Sequence, residues 1–235
     1  MKDIAIVAHR GASSHEPENS IASFEKAIEL GARTIEMDVR TTFDGHAILM
    51  HDETLDRTTD GVGKVPDSDM KFIASLRLRN GQTVPILSEV LESLRGRCTF
   101  ILELKDHFSA AAAGKAVKDL KLWKDVVFSS FNGPWLVDLK LRYPDARVAF
   151  ISEDRKQDSI RITSSLYAEA IHIGYRITSR KLVMQAHESG LKAFVWTVNS
   201  PRRMRKCIEM GADGIITDRP DVLANLLRDV RLREP

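Results

Sequence analysis

VAHRGASSHEPENS, residues 7–20, passes from an apolar strand through a polar loop to the start of a helix. The strand ends on His9 and Arg10, and Gly11 follows them directly. Asn19 is a residue type that caps helices, and the apolar positions of ENSIASFEKAIELG, residues 18–31, recur at helical spacing. The stretch therefore predicts a strand, loop and helix unit that carries a base and a fixed cation to the end of its strand.

The same alternation of strand and helix runs along the whole chain. Eight short β-rich runs are predicted as strands, at residues 4–8, 34–40, 99–104, 126–130, 147–151, 170–173, 193–197 and 214–217. Amphipathic stretches lie between them, and several end at Gly or Pro. A helix after every strand favours a parallel sheet, and eight repeats of about 30 residues fit a closed α/β barrel of the TIM type, (β/α)8.

One unit, between the second strand and its helix, is longer than the others. TTFDGHAILMH, residues 41–51, predicts a β-hairpin with Asp44 and Gly45 in its turn. The next segment, residues 52–69, is rich in turn-forming residues. We expect a small insertion at about residues 45–87 that lies above the carboxyl-terminal mouth of the barrel, where barrel enzymes build their active sites.

Composition and charge argue against several classes of protein. The 235 residues are 43% hydrophobic, which suffices for one large barrel, and we expect a single domain over residues 1–235. Lys and Arg total 35 against 33 for Asp and Glu, so a formal charge of +2 gives no general attraction to nucleic acid or to an anionic membrane. The chain has no signal-peptide core or membrane span, which predicts a cytoplasmic protein. Cys98 and Cys207 are far apart and predict neither a disulfide framework nor a zinc site.

Three acidic residues fall near the ends of neighbouring predicted strands. Glu36 and Asp38 are two residues apart, so their side chains point to the same face of one strand. Glu103 has the same placement on the next strand. Because buried unpaired carboxylates are costly, they need a compensating cation, and an all-oxygen set suits one Mg²⁺ or Ca²⁺. The alternative interpretation is that the three carboxylates form ion pairs with nearby basic residues.

Two histidines and two basic residues complete the predicted site. His9 ends the first strand and His51 ends the hairpin, each beside a charged residue. Imidazoles titrate near neutrality, so a facing pair can act as acid and base. Arg10 and Lys105 supply a planar guanidinium and a point charge for an anionic oxygen that also contacts the metal. A phosphate fits these groups better than a carboxylate, because several of its oxygens can bridge the metal and the cations.

The chain resembles the glycerophosphodiester phosphodiesterase family, and most of all its short cytosolic bacterial members. The matching motifs run from Val7 to Asp221 and are HRGASSHEPENS, GARTIEMDVRTTFDGHAILMHDETLDRTTDGVG, VPILSEVL, FILELK, SSF, FVWTVNSP and GADGIITDRPD. The resemblance covers nearly the whole chain, and the combination is far more specific than any single motif.

The resemblance implies a TIM-type barrel with a small insertion after the second strand. It also implies hydrolysis of a small-molecule glycerophosphodiester to sn-glycerol 3-phosphate and an alcohol, by a protein that we expect to be a monomer or homodimer. In the mechanism suggested by the family, a glycerol hydroxyl attacks phosphorus, the alcohol leaves on protonation, and water opens the cyclic phosphate. The implied site residues are Glu36, Asp38 and Glu103 for a divalent cation, His9 and His51 for acid and base catalysis, and Arg10 and Lys105 for phosphate.

Residues at later strand ends extend this expectation. Phe131 and Trp196 resemble apolar positions that line the family's substrate mouth, although packing between barrel and helices is the alternative. His172 ends the sixth strand and could contact the substrate, although no neighbour in the sequence pairs with it. Glu18 either orients the first loop or approaches the metal. The remaining histidines are predicted to lie on the surface, and these are His15, His46, His107 and His187.

One segment departs from the family pattern. SLRLRNGQTVP, residues 75–85, has Arg77 and Arg79 where family members often carry an aromatic residue late in the insertion. If either arginine closes over the substrate, the preferred alcohol would be more anionic than usual.

Two other functions are weighed against this one. A lysophospholipase D or phospholipase C-like enzyme must meet a membrane, and the sequence has no lipid-binding module or amphipathic anchor. A catalytically silent barrel that binds a phosphorylated ligand is the second alternative. The presence of both histidines, all three carboxylates and both cations favours an enzyme.

Overall fold

Eight parallel strands pair side by side in a closed ring in the computed structural model, which describes residues 3–154 and 158–231. The strands, with one short antiparallel addition as the third, are β1 (Ala5–His9), β2 (Thr34–Thr41), β3 (Ala47–Leu49), β4 (Thr99–Leu104), β5 (Val126–Ser130), β6 (Arg147–Ser152), β7 (Ala170–Gly174), β8 (Lys192–Trp196) and β9 (Gly214–Thr217). Pairing of β1 with both β2 and β9 closes the ring and confirms the predicted (β/α)8 barrel.

Helices connect the parallel strands and pack against them. They are α1 (Ile21–Glu29), α2 (Met70–Ser75), α3 (Leu87–Ser93), α4 (Ser109–Leu120), α5 (Gly133–Arg142), α6 (Ser159–Ser165), α7 (Arg180–Glu188), α8 (Pro201–Glu209) and α9 (Pro220–Arg231), with a 3₁₀ turn at Val65–Asp67. Within residues 3–154 and 158–231, no helix has both the length and the apolar character needed to cross a bilayer.

The first helix begins one residue later than the Asn19 cap predicts. Ser20 is the N-cap, and its hydroxyl accepts a 3.1 Å hydrogen bond from the Ser23 N–H. Asn19 instead adopts a left-handed backbone with φ of 54° and donates through Nδ2 to Asp38 Oδ2 at 2.8 Å. The sequence pattern could not reveal this, because the partner of Asn19 lies on another strand.

The main core fills the space between the ring of strands and the helices. Four phenylalanines are fully buried there, Phe24, Phe100, Phe128 and Phe150. The interior of the ring holds a small apolar cluster of Val7, Ile101 and Ile216. The barrel is therefore a packed core rather than a pore, and its open space lies at the ends of the strands.

The excess chain between β2 and α3 forms a separate layer. β3 pairs antiparallel with the end of β2, Thr41 opposite Ala47, and Gly45 in the turn has φ of 87°, as the predicted hairpin requires. Val39 pairs with Leu49 of β3 and with Leu104 of β4, so β3 lies on the edge of β2 that faces β1. A second apolar cluster supports this layer, composed of Ile48, Met50, Leu55, Val65, Ile73, Leu76, Leu78 and Val84.

We predict that Phe24→Ala lowers the free energy of unfolding by about 3–5 kcal/mol, because it opens a cavity where α1 meets the barrel. Phe43→Ala is the matched control, since Phe43 is 78% exposed, and its effect is expected to stay within about 0.5 kcal/mol. Urea unfolding at equilibrium measures both. Equal destabilisation by the two variants would contradict this account of the core.

Candidate active site

A cavity of about 310 Å³ opens at the carboxyl ends of the strands. It is lined by residues from the barrel strands, from the loops that follow them and from the insertion, namely His9, Arg10, Glu36, His51, Glu103, Lys105, Ser129, Phe131, Ile151, Glu153, His172, Trp196 and Ile216. Eight of the nine residues predicted for the site line it. The ninth, Asp38, lies behind the wall and contacts both Arg10 and Lys105.

Strand alternation explains why the acidic residues face the cavity. In β2, Ile35, Met37 and Val39 are buried in the main core beneath the helices. Glu36 and Asp38 alternate with them and face the interior of the ring. On the neighbouring strand Glu103 pairs in register with Asp38.

The three carboxylates form a tight buried group. Glu36, Asp38 and Glu103 are 3%, 0% and 8% exposed, and one oxygen of each lies within 4.8 Å of the others. Spacing of this kind lets one ion contact all three carboxylates. The structure thus brings together the three acidic residues selected from sequence.

The charges within this group are only partly compensated. Burial favours the neutral form of Asp38, but Lys105 Nζ at 3.1 Å and Arg10 Nε at 3.0 Å outweigh it, so the pKa of Asp38 is lowered. Glu36 Oε2 accepts a 2.9 Å hydrogen bond from the backbone N–H of Arg10. Burial, with the negative charge of Asp38, raises the pKa of Glu36 to about 8, and burial raises that of Glu103 as well.

Two buried oxygens test whether a cation fits here. Glu36 Oε1 accepts no hydrogen bond from the described residues, and Asp38 Oδ1 has the Lys105 ammonium beside it at 3.1 Å but no hydrogen bond of good geometry. Buried acceptors normally have a partner, and both atoms belong to the carboxylate group. A hard divalent cation therefore fits the donor set, which offers oxygen ligands and an excess of negative charge.

His9 is held by a residue from the far end of the chain. Its Nδ1 donates to Asp218 Oδ1 at 2.6 Å, which leaves Nε2 as the ring nitrogen available to the cavity. Asp218 follows β9 and also accepts hydrogen bonds from Ser13 and Asn199. Burial lowers the pKa of His9, but the bond to Asp218 and the charge of Glu36 raise it by more.

His51 has its own carboxylate partner, in the insertion. Its Nδ1 donates to Asp52 Oδ1 at 2.6 Å. Arg40 Nε donates a 2.9 Å hydrogen bond to the backbone carbonyl of His51 and holds this residue in place. Burial lowers the pKa of His51, and the nearby Lys105 ammonium adds to this effect. The two imidazoles therefore have pKa values shifted in opposite directions.

An ion-pair chain that sequence reasoning missed joins the two histidine neighbourhoods. Glu18 accepts from Arg10 at 2.9 Å and from Arg57 at 2.7 Å, and Arg57 also binds Asp52, the partner of His51. Glu18 thus orients the first loop and ties it to the insertion, the first of the two roles considered for it. The signal for Asp218 was available, since it directly follows a strand, but nothing in sequence identifies Arg57 as a partner of Glu18.

Aromatic residues line the cavity wall formed by later strands. Phe131 and Trp196 are in edge-to-face contact, with ring centroids 5.5 Å apart. The Trp196 indole N–H donates to the His172 carbonyl at 3.1 Å, so the ring has a fixed orientation. His172 is 2% exposed and lies in the wall beside them.

Arg77 and Arg79 do not line the cavity. The Arg77 guanidinium donates to carbonyl oxygens at the end of α2, and Arg79 donates to the Arg57 carbonyl at 3.3 Å. Local backbone acceptors bind both side chains, so neither arginine reaches the cavity lining in this structure. The structure gives no reason to expect a more anionic alcohol.

Comparison with known proteins adds an independent line of evidence. The glycerophosphoryl diester phosphodiesterase family matches residues 9–222. A glycerophosphodiester phosphodiesterase from Caldanaerobacter subterraneus subsp. tengcongensis is 35% identical over 95% of this chain and 97% of its own length.

Solved structures agree with that match. One from Agrobacterium tumefaciens, a glycerophosphodiester phosphodiesterase, is 30% identical over 95% of this chain and all of its own, with a TM-score of 0.85. An Oleispira antarctica phosphodiesterase in complex with the product sn-glycerol-3-phosphate is 26% identical over 95% and 96% of the two chains, with a TM-score of 0.88.

We predict that Mg²⁺ or Ca²⁺ raises the melting temperature of the protein, because a bound cation stabilises the folded state alone. Glu103→Gln is expected to weaken the affinity for that ion by at least about 10-fold. Mutation of a residue that only supports a metal ligand already costs about 10-fold, and Glu103 is expected to be a ligand itself. Glu153→Gln, which changes a carboxylate in the same cavity outside the group, is the matched control. Calorimetric titration measures the affinities, and equal losses in both variants would contradict the assignment.

Proposed function

We propose that this chain, which belongs to the glycerophosphoryl diester phosphodiesterase family, hydrolyses glycerophosphodiesters to sn-glycerol 3-phosphate and an alcohol. The observation that carries the proposal is the meeting of two carboxylates, two cations and two imidazoles in one cavity, with the third carboxylate, Asp38, directly behind its wall. A structural relative whose complex contains sn-glycerol 3-phosphate supports the same substrate class.

The carboxylates Glu36, Asp38 and Glu103 are proposed to hold one divalent cation, Mg²⁺ or Ca²⁺. The unpartnered Oε1 of Glu36 and the mutual proximity of the three carboxylates support this assignment. When bound, such a cation would polarise a phosphoryl oxygen and stabilise a deprotonated hydroxyl.

Arg10 and Lys105 are proposed to bind the phosphoryl oxygens. Both line the cavity and both are anchored by ion pairs to Asp38, so their cationic groups are held in place before substrate arrives. A guanidinium has five N–H donors, and the contacts of Arg10 with Asp38 and Glu18 leave donors for a ligand. Preorganised charge of this kind stabilises a phosphoryl transition state without reorganisation.

His9 and His51 are proposed as the acid and base pair. One imidazole accepts the proton of a substrate glycerol hydroxyl as its oxygen attacks phosphorus, and the other donates a proton to the departing alcohol. Water then adds to the cyclic phosphate and gives sn-glycerol 3-phosphate. Support comes from the engaged Nδ1 atoms, which leave both Nε2 atoms for substrate, and from pKa shifts of opposite sign, which an acid and a base require.

Phe131 and Trp196 are proposed to line the substrate mouth. Phe131 is 44% exposed although it is a large apolar ring, and it contacts Trp196 at the cavity wall. Apolar surface with few polar groups is usual for the part of a pocket that orients a ligand.

We expect His9→Ala and His51→Ala each to lower the turnover of glycerophosphocholine by about 100-fold or more, because proton transfer loses its catalyst. His46→Ala is the matched control, since His46 is more than half exposed in the hairpin turn. Release of sn-glycerol 3-phosphate measures turnover. Near-normal rates in either test variant would remove that histidine from the mechanism.

Exhaustive treatment with EDTA is expected to abolish hydrolysis, and one of Mg²⁺ or Ca²⁺ to restore it, because Glu36 and Glu103 would lose their counter-ion. Circular dichroism of the treated protein controls for unfolding. Full activity after complete removal of divalent ions would refute the cation assignment.

A further inference from the structure

His172 is a buried polar side chain that the proposed mechanism does not use. It lies on β7, which stands opposite β2 in the ring of eight parallel strands, so it faces the carboxylate group across the cavity. Its imidazole packs edge-on against Phe194 at 5.4 Å, and the residue is 2% exposed. Within residues 3–154 and 158–231, neither ring nitrogen has a hydrogen-bond partner.

Ser129 is a second buried polar side chain that the proposed mechanism does not use. Its hydroxyl is buried and has no partner among the described residues, and the side chain lines the same cavity. Around His172 the wall is mainly apolar, with Ile151, Trp196 and Ile216, and it includes the exposed carboxylate Glu153; Ser129 lies next to Glu103 on the neighbouring strand. Buried polar groups are almost always hydrogen-bonded, so the missing partner of each group is expected in a bound ligand.

The chemistry of His172 limits what that ligand group can be. Burial lowers the pKa of His172 to about 4, so the imidazole is neutral at physiological pH. A neutral imidazole offers one N–H donor and one acceptor nitrogen. A hydroxyl group, which also donates and accepts, complements it, whereas a charged ammonium or phosphate group gains no opposite charge from this neutral imidazole.

We infer that His172 is a specificity-determining residue that hydrogen-bonds a hydroxyl of the substrate's glycerol, with Ser129 as a second polar contact in the same cavity. The inference rests on the proposed function and deepens it. The phosphate binds beside Arg10 and Lys105, and the glycerol carbon chain extends along the apolar wall toward β7. Glycerol is the part common to every substrate of the class, and its hydroxyls are what an apolar wall with two isolated polar groups can select.

Binding of the product and of a deoxy analogue tests this directly. We expect the metal-loaded wild type to bind sn-glycerol 3-phosphate at least about 10-fold more tightly than n-propyl phosphate, which lacks both hydroxyls, because a site built to bond a hydroxyl rejects an analogue without it. In His172→Phe this preference is expected to fall by about 5-fold or more, while the affinity for n-propyl phosphate is retained. The preference that remains comes from the glycerol hydroxyl beside the carboxylates, which His172 does not contact. Calorimetric titration measures all four affinities.

Three variants make the test specific. His172→Asn keeps one donor and one acceptor and is expected to retain part of the preference. His187→Phe makes the same substitution on the exposed face of α7 and is expected to retain all of it. Ser129→Ala removes a buried unpaired hydroxyl, so its melting temperature should be unchanged or higher while the preference falls, a combination that a purely structural role would not produce.

The outcomes separate this inference from the proposed function. If wild type releases no sn-glycerol 3-phosphate from glycerophosphocholine with added Mg²⁺ or Ca²⁺, the proposed function fails. If wild type hydrolyses it but folded His172→Phe keeps the full preference for the product over n-propyl phosphate, the inference is overturned. Should His172→Phe not fold, His172→Leu, which also lacks a donor and an acceptor, gives the same decision.

Discussion

Burial of three carboxylates at one end of the barrel is the constraint on which the rest of the site depends. The described cations that pair with this group are Arg10 and Lys105, and both contact Asp38. Lys105 also pairs with Glu103, yet the pKa values of Glu36 and Glu103 are raised, because the group buries more negative charge than these two cations neutralise. A phosphodiester would add one further negative charge. With the proposed divalent cation, the charges of the three carboxylates, the two basic residues and a phosphodiester would sum to zero, so the cation would offset the repulsion between the carboxylates and an anionic substrate.

The first loop meets this constraint through unusual backbone geometry. Arg10, Gly11 and Asn19 all have positive φ, at 57°, 82° and 54°. This geometry directs the Arg10 N–H at Glu36 and the Asn19 amide at Asp38. A Cβ on Gly11 would lie 2.3 Å from the Ser23 hydroxyl, so only glycine fits where the loop passes α1. Backbone strain of this kind persists where surrounding contacts hold it, here the contacts with the buried carboxylates.

The cavity has two chemically different sides because of where each strand stands in the ring. β1, β2 and β4, with the insertion, supply the charged groups and both histidines of the proposed acid and base pair. β5 to β8 and the residues that follow them supply mainly aromatic and aliphatic side chains, with neutral polar groups at Ser129 and His172 and a carboxylate, Glu153, just after β6. A diester has the same division, with a charged phosphate and largely uncharged alcohols. The insertion contributes more than His51, since Arg57 ties it through Glu18 to the loop after β1 and so fixes His51 relative to Arg10.

The sequence by itself determined the barrel, because alternating strands and helices leave few other ways to bury eight parallel strands, and it located each strand to within one residue. It also identified the acidic group, since two carboxylates two residues apart in a strand must share a face. Only the tertiary structure decided which groups hold the site residues in position. Asp218 binds His9 from 209 residues away, and Asn19 leaves its capping position for Asp38. Such partners depend on how the first and last strands pair to close the ring. Local sequence patterns cannot predict contacts between segments that are distant in the chain.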